Sequence, residues 1–153
     1  MSDLAGSRII ILGLGREGLS SYRFLRTQLP EQELTLADQS PSEILFANFP
    51  EWQAISRQDR NLLWQLGDQY LENLANFDLI IKTAGIPVTL PAIQQALELN
   101  PGLQISSNMQ LFFDRCQGTI IGVTGSKGKS TTSQLIFDIL SQAGQKTVLL
   151  GNI

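Results

Sequence analysis

Residues 8–25 read RIIILGLGREGLSSYRFL, a β-branched apolar run that passes through glycines into a segment of helical pattern. Arg8–Leu12 is a predicted buried strand, and the residues from Arg16 to about Leu29 are a predicted helix. Between them Gly13-Leu14-Gly15-Arg16-Glu17-Gly18 matches G-x-G-x-x-G. Glycines at this spacing allow a tight turn and let a ligand phosphate approach the helix N-terminus, whose amides and dipole favour an anion. A second predicted strand, Leu34–Ala37, ends at Asp38, where a carboxylate commonly holds a ribose hydroxyl or a base. NAD, FAD and UDP-sugars can all use such a crevice. A purely structural reading, in which the glycines only let helix and strand pack closely, competes with them.

Outward from this unit the alternation continues. The stretch 41–55 is weakly patterned and partly helical, Leu62–Leu66 is a predicted strand, and a short helix is expected near Gln69–Leu74. Asp78–Lys82 (DLIIK) reads as a strand, Leu90–Leu99 as a helix, and a short strand near Leu103–Ile105 precedes a helix over Asn108–Asp114. Such alternation predicts βαβ units, hence an α/β fold with a mostly parallel sheet. In that architecture ligands lie outside the carboxyl ends of the strands, so Thr83-Ala84-Gly85-Ile86-Pro87 is expected to line the same crevice as Gly13–Gly18. Taken alone, it is a plain turn. Trp52 and Trp64 are expected as packing residues, and Cys116 as a small buried hydrophobe.

A second glycine loop, Gly125-Ser126-Lys127-Gly128-Lys129-Ser130-Thr131, lies between a predicted strand, Thr119–Thr124, and a predicted helix from Lys129 to Ala143. Its G-K-S end has the chemistry of a phosphate-binding P-loop. Backbone amides cradle phosphates, Lys129 reaches the β/γ oxygens and acts in catalysis, and the Ser130 hydroxyl ligates Mg2+. The general pattern places glycine at position 123, where this chain has Val123. Lys127 reads as a solvated loop charge, and nothing visible reads a base. Leu135, Ile136, Ile139, Leu140 and Ala143 share one helix face, Gly144 is a natural stop, and Lys146–Leu150 is a further predicted strand.

The expected boundary lies near Asn108. Residues 1–108 suffice for a small α/β domain, whereas the two strands and one helix of 109–153 cannot enclose a core. The chain is therefore expected to stop inside a second, truncated domain, with apolar surface on its helix that invites self-association.

The bulk properties set outer limits. The 153 residues are 42% hydrophobic and 16% charged, which is globular, and the net charge of −3 disfavours nucleic acid as a partner. With one cysteine and no histidine, an intrachain disulfide and a Cys/His zinc site are excluded, as is histidine acid–base chemistry from these residues. No apolar run approaches the roughly 20 residues that span a bilayer, and the N-terminus lacks signal-peptide character. A cytoplasmic protein, not engaged with membrane, is the expectation.

The shifted loop T-G-S-K-G-K-S-T resembles the phosphate loop of the Mur ligase superfamily, ATP-dependent amide ligases. GLGREGLSSYRFL, Asp38, FDLIIKTAGIP, ISSNMQLFFDRC, GVTGSKGKST and GNI are similar, in order and spacing, to landmarks of the branch that adds D-glutamate to UDP-N-acetylmuramoyl-L-alanine. The resemblance covers the chain but only about the first third of such an enzyme. It implies a Rossmann-like first domain whose crevice holds UDP and not NAD. Carried over by position, Gly15, Arg16, Glu17, Asp38, Gln39, Thr83, Ala84 and Gly85 would line the UDP site, and Asn152 would contact substrate. Gly125, Ser126, Lys127, Gly128, Lys129, Ser130 and Thr131 would serve ATP, with Ser130 on Mg2+. The implied reaction runs through an acyl phosphate, and the D-glutamate site lies beyond this chain. Relatives often read S-P-G at Thr83-Ala84-Gly85 and D-x-E-L-F at Asn108–Phe112, so ionic contacts from Asn108 or Gln110 are lost here. The resemblance further implies a monomeric full-length enzyme and an inactive fragment.

Two other classes stand against this reading. One is a dinucleotide-dependent module, which would need a nicotinamide site. The other is a stand-alone P-loop switch, which would need a Walker-B carboxylate on a later strand. A different Mur ligase is a nearer rival.

Overall fold

A computed structural model describes residues 4–151 of the chain. The chain divides into two compact units between Arg115 and Cys116. The first unit runs β1 (Ile9–Leu12), α1 (Arg16–Gln28), β2 (Leu34–Asp38), α2 (Ser42–Asn48), α3 (Pro50–Gln58), β3 (Leu62–Leu66), β4 (Leu79–Lys82), α4 (Pro91–Leu99), β5 (Gln104–Ser107) and α5 (Asn108–Arg115). The five strands form one all-parallel sheet in the order β3-β2-β1-β4-β5.

β1 is central, and Ile9, Ile10, Ile11 and Leu12 are all essentially inaccessible to water, as an apolar strand covered on both faces must be. Period-two alternation sends them to opposite faces. Ile9 and Ile11 join Leu14, Leu19, Leu25, Leu36, Leu45, Trp52 and Ile81 on one face, and Ile10 and Leu12 join Leu74, Ile80, Ile93 and Ala96 on the other. Each buried leucine or isoleucine among them contributes about 1.5–3 kcal/mol. Trp52 meets Tyr22 and Trp64 edge-on at 5.4 and 5.9 Å, confirming both tryptophans as packing residues.

Three local expectations change. The helix expected near Gln69–Leu74 is replaced by two 3-10 turns, Gly67–Gln69 and Leu74–Asn76, separated by Asn73 in the left-handed conformation at φ 55°. The stretch 41–55 holds two helices, because Pro50 begins α3 where it cannot continue α2. The division after Arg115, not at Asn108, follows from α5, whose Leu111 is buried in the first core. Its Asn108 donates to Ser21 Oγ at 3.2 Å.

The second unit contains α6 (Lys129–Gln142), capped at its start by Gly128 at φ 76°. Gly144 ends it as expected: its N–H reaches Ser141 O, and the Gln145 N–H reaches Leu140 O, the paired bonds of a Schellman motif. The expected strands Thr119–Thr124 and Lys146–Leu150 are absent among the described residues. A strand exists only with a partner ladder to take its N–H and C=O groups, and these segments have none. No residue of α6 is buried, and Leu135 and Ile139 are each 58% exposed. Cys116 is half-buried, with Sγ 3.8 Å from Gly118 O, not enclosed in a core.

Candidate functional site

Strand order reverses at β1: β2 and β3 lie to one side, β4 and β5 to the other. Crevices form where crossovers diverge in this way, outside the strand carboxyl ends. A cleft of about 410 Å3 occupies that place, lined by Gly13, Gly15, Asp38, Gln39, Thr83 and Gly85, with Tyr70, Ile86, Pro87 and Leu90 on its more apolar side.

The first glycine loop is held from several directions. Gly13 N–H donates to Ala37 O at 2.8 Å, Leu14 N–H to Asp38 Oδ2 at 2.7 Å, and Trp52 Nε1 to Leu14 O at 2.6 Å. Gly13 has φ 89°, and a Cβ there would collide with the Thr83 side chain. A Cβ on Gly18 would collide with the carbonyl oxygen of Gly13. The loop and the start of α1 are therefore in contact at a distance only glycine permits. Gly15 caps α1 with no side-chain acceptor on its first-turn amides, which leaves them for a ligand anion.

Asp38 uses both carboxylate oxygens inside the protein: Oδ2 takes the Leu14 N–H and Oδ1 takes the Ser40 N–H at 2.8 Å. Each oxygen keeps a lone pair for a ligand hydroxyl or N–H. Of the residues expected from sequence, Gly15, Asp38, Gln39, Thr83 and Gly85 are brought together at the cleft. Arg16 and Glu17 are exposed in the first turn of α1 and do not line it. The Glu17 carboxylate instead accepts the Ala84 N–H at 2.9 Å. Asn152 lies outside the described residues.

Sequence reasoning missed Tyr70 and Leu90. The signal for Tyr70 was present, since it follows the carboxyl end of β3, where the same strand-end rule applies. Gln110, neutral where an acid was expected, donates to Asp114 at 2.7 Å. Its own N–H is taken by Ser107 Oγ at 3.1 Å, an S-x-x-Q helix start legible in the sequence.

In the second unit the loop turns through Gly125 at φ 150° and Gly128 at φ 76°. Lys129, the first residue of α6, folds back and donates Nζ to Gly125 O at 2.5 Å, so its ammonium lies against the loop that leads into the helix. Ser130 and Thr131 sit in the first turn of α6, whose cap makes no side-chain bond. A loop with unclaimed amides and an ammonium drawn across it has the donor set that phosphate oxygens need. Among the described residues no group of three or more His, Cys, Asp or Glu could hold a metal ion.

A family model described as the Mur ligase MurD-like N-terminal domain matches residues 7–107, the span from β1 to the end of β5. The chain belongs to the MurD-like Mur ligases. Similar proteins named UDP-N-acetylmuramoylalanine--D-glutamate ligase include one from Clostridium novyi, 40% identical over 100 residues, covering 65% of this chain and 21% of that protein. One from Symbiobacterium thermophilum is 37% identical over 146 residues, 95% of this chain and 30% of the relative. One from Koribacter versatilis is 30% identical over 151 residues, 99% of this chain and 31% of the relative. The chain thus spans between about a fifth and a third of the length of these Mur ligases. Its glycine-loop cleft falls wholly inside the matched family domain. No helix among the described residues is long and apolar enough to cross a membrane.

Proposed function

We propose that this chain provides the UDP-substrate-binding domain and the ATP phosphate loop of a cytoplasmic ligase that joins D-glutamate to UDP-N-acetylmuramoyl-L-alanine in peptidoglycan synthesis. The observation that carries the reading is the switch-point cleft of a MurD-like domain, with a helix N-terminus and a carboxylate at its mouth. The names of the relatives support the substrate pair.

In this reading the diphosphate lies beside Gly15 at the N-terminus of α1, where the helix dipole favours negative charge. Asp38 and Gln39 face the uridine, and Thr83 and Gly85 form the opposite wall. Asn152 contacts the substrate further along. Gly125–Thr131 cradles the phosphates of ATP, with Lys129 as the catalytic cation and Ser130 on Mg2+. ATP, when bound, supplies the phosphoryl group that turns the substrate carboxylate into an acyl phosphate open to the amine of D-glutamate. Charge neutralisation and alignment are what such a loop contributes to phosphoryl transfer. The D-glutamate site belongs to the length that the relatives have beyond this span, so this chain binds but does not turn over. The full-length ligase is a monomer.

Calorimetric titration of the chain with UDP-N-acetylmuramoyl-L-alanine, and with NADH in parallel, tests the proposal. Binding of the UDP compound alone, weakened by Asp38→Ala, is the expected result. Binding of NADH alone would overturn it in favour of a dinucleotide module.

A further inference from the structure

We infer that Glu17 is a positioning residue that clasps the two loops of the cleft together and is not itself a contact to the ligand; the inference rests on the cleft being the UDP site proposed above. Glu17 stands in the first turn of α1, just after the loop that follows β1, and Ala84 in the turn that follows β4. Their bond, Ala84 N–H to Glu17 Oε2 at 2.9 Å, links the two sides of the switch point.

Among the described residues, the other main-chain bonds of the turn carrying Ala84 are at its ends. Thr83 N–H donates to Leu12 O at 3.0 Å and Ile86 N–H to Thr83 O at 3.1 Å. Glu17 takes the amide between these two. Neither Glu17 nor Ala84 lines the cleft, whereas Thr83 and Gly85, on either side of Ala84, both do. The carboxylate therefore acts on a ligand only through the placement of its neighbours.

Charge and clasp have opposite consequences here. A carboxylate in the first helical turn suits the dipole of α1. The same negative charge repels a diphosphate at that terminus. Glu17→Gln keeps a carbonyl oxygen to accept from Ala84 and removes the charge, while Glu17→Ala removes both.

The test uses the 153-residue chain, its Ala84 amide exchange measured by NMR without ligand, and its affinity for UDP measured by calorimetry. Glu17→Ala is expected to speed Ala84 exchange and to weaken UDP binding about tenfold, the scale of one charged hydrogen bond. Glu17→Gln is expected to keep parental exchange and to bind UDP as tightly as the parent or more tightly. Unchanged Ala84 exchange in Glu17→Ala, unchanged UDP affinity in that variant beside a parent that binds, or a Glu17→Gln as impaired as Glu17→Ala would each overturn the clasp. If the parent itself does not bind UDP, the proposed function falls, while the exchange comparison still decides whether the clasp exists.

Discussion

The indole Nε1 of Trp52 donates to the main-chain carbonyl of Leu14 at 2.6 Å, from a side chain with no exposed surface. A residue of the hydrophobic core thereby fixes the backbone of the glycine loop. Trp52→Phe preserves most of the ring but leaves a buried carbonyl without its donor. It is expected to lower stability by about 1–3 kcal/mol, read as a urea midpoint shift. A variant as stable as the parent would mean that the loop relaxes to water and is not held from the core.

Gly15 and Gly18 separate folding from binding. A Cβ at Gly15 would stand 3.8 Å from Phe49, an ordinary contact, whereas one at Gly18 would collide with a backbone oxygen. Gly18→Ala should therefore cost about 2–3 kcal/mol of overpacking or more, and Gly15→Ala well under that. Thermal unfolding of the two variants side by side decides it, and equal midpoints would contradict the geometry.

Asp78 carries the pH dependence. Arg8 Nη2 and Nε reach its two oxygens at 2.7 and 3.1 Å, and the Arg8 N–H adds a third bond at 2.7 Å. These side-chain bonds first, and then the backbone bond, lower the carboxyl from 3.8 to about 2. Because the folded value lies below the unfolded one, the stabilisation is complete above pH 3.8 and is lost as pH falls toward about 2. The pair is exposed, so the effect is small. Asp78→Asn should flatten the stability profile in that window alone, and parallel profiles for parent and variant would refute the assignment.

Lys129→Ala removes both the bond to Gly125 O and the cation offered to phosphates. At least a tenfold loss of affinity for a fluorescent ATP analogue is expected. UDP binding by the first unit should not change. A variant that still holds the analogue would leave the loop amides as the whole phosphate site.

Strands β1 to β4 were legible as short, largely apolar runs bounded by turn residues, with β3 on the predicted Leu62–Leu66, whereas β5, expected near Leu103–Ile105, is the more polar Gln104–Ser107. Where the outcome departed from expectation, pairing over distance decided it. TIIGVT has the composition of a strand, but composition cannot supply the neighbouring ladder. Glu17 was expected at the UDP site through the family resemblance, and its bond to Ala84, 67 residues on, leaves no local trace in the sequence. The half-buried Arg26 escaped notice in the same way: it pairs with Asp59, 33 residues on, at 2.8 Å, and also donates to the nearby carbonyls of Leu29 and Gln32. Asp38 was found by its place at a strand end, though its hold on the Leu14 and Ser40 amides was not.

The central position of β1 has a consequence during synthesis. Its neighbours β2 and β4 both come later in the chain, and the Glu17–Ala84 bond closes a span of 67 residues. At about 5–20 residues per second, the ribosome finishes one wall of the cleft several seconds after the other. A nascent chain therefore carries its first glycine turn, half assembled, through that interval, and gains a closed cleft only once the strand ending in Lys82 has emerged and docked against Leu12.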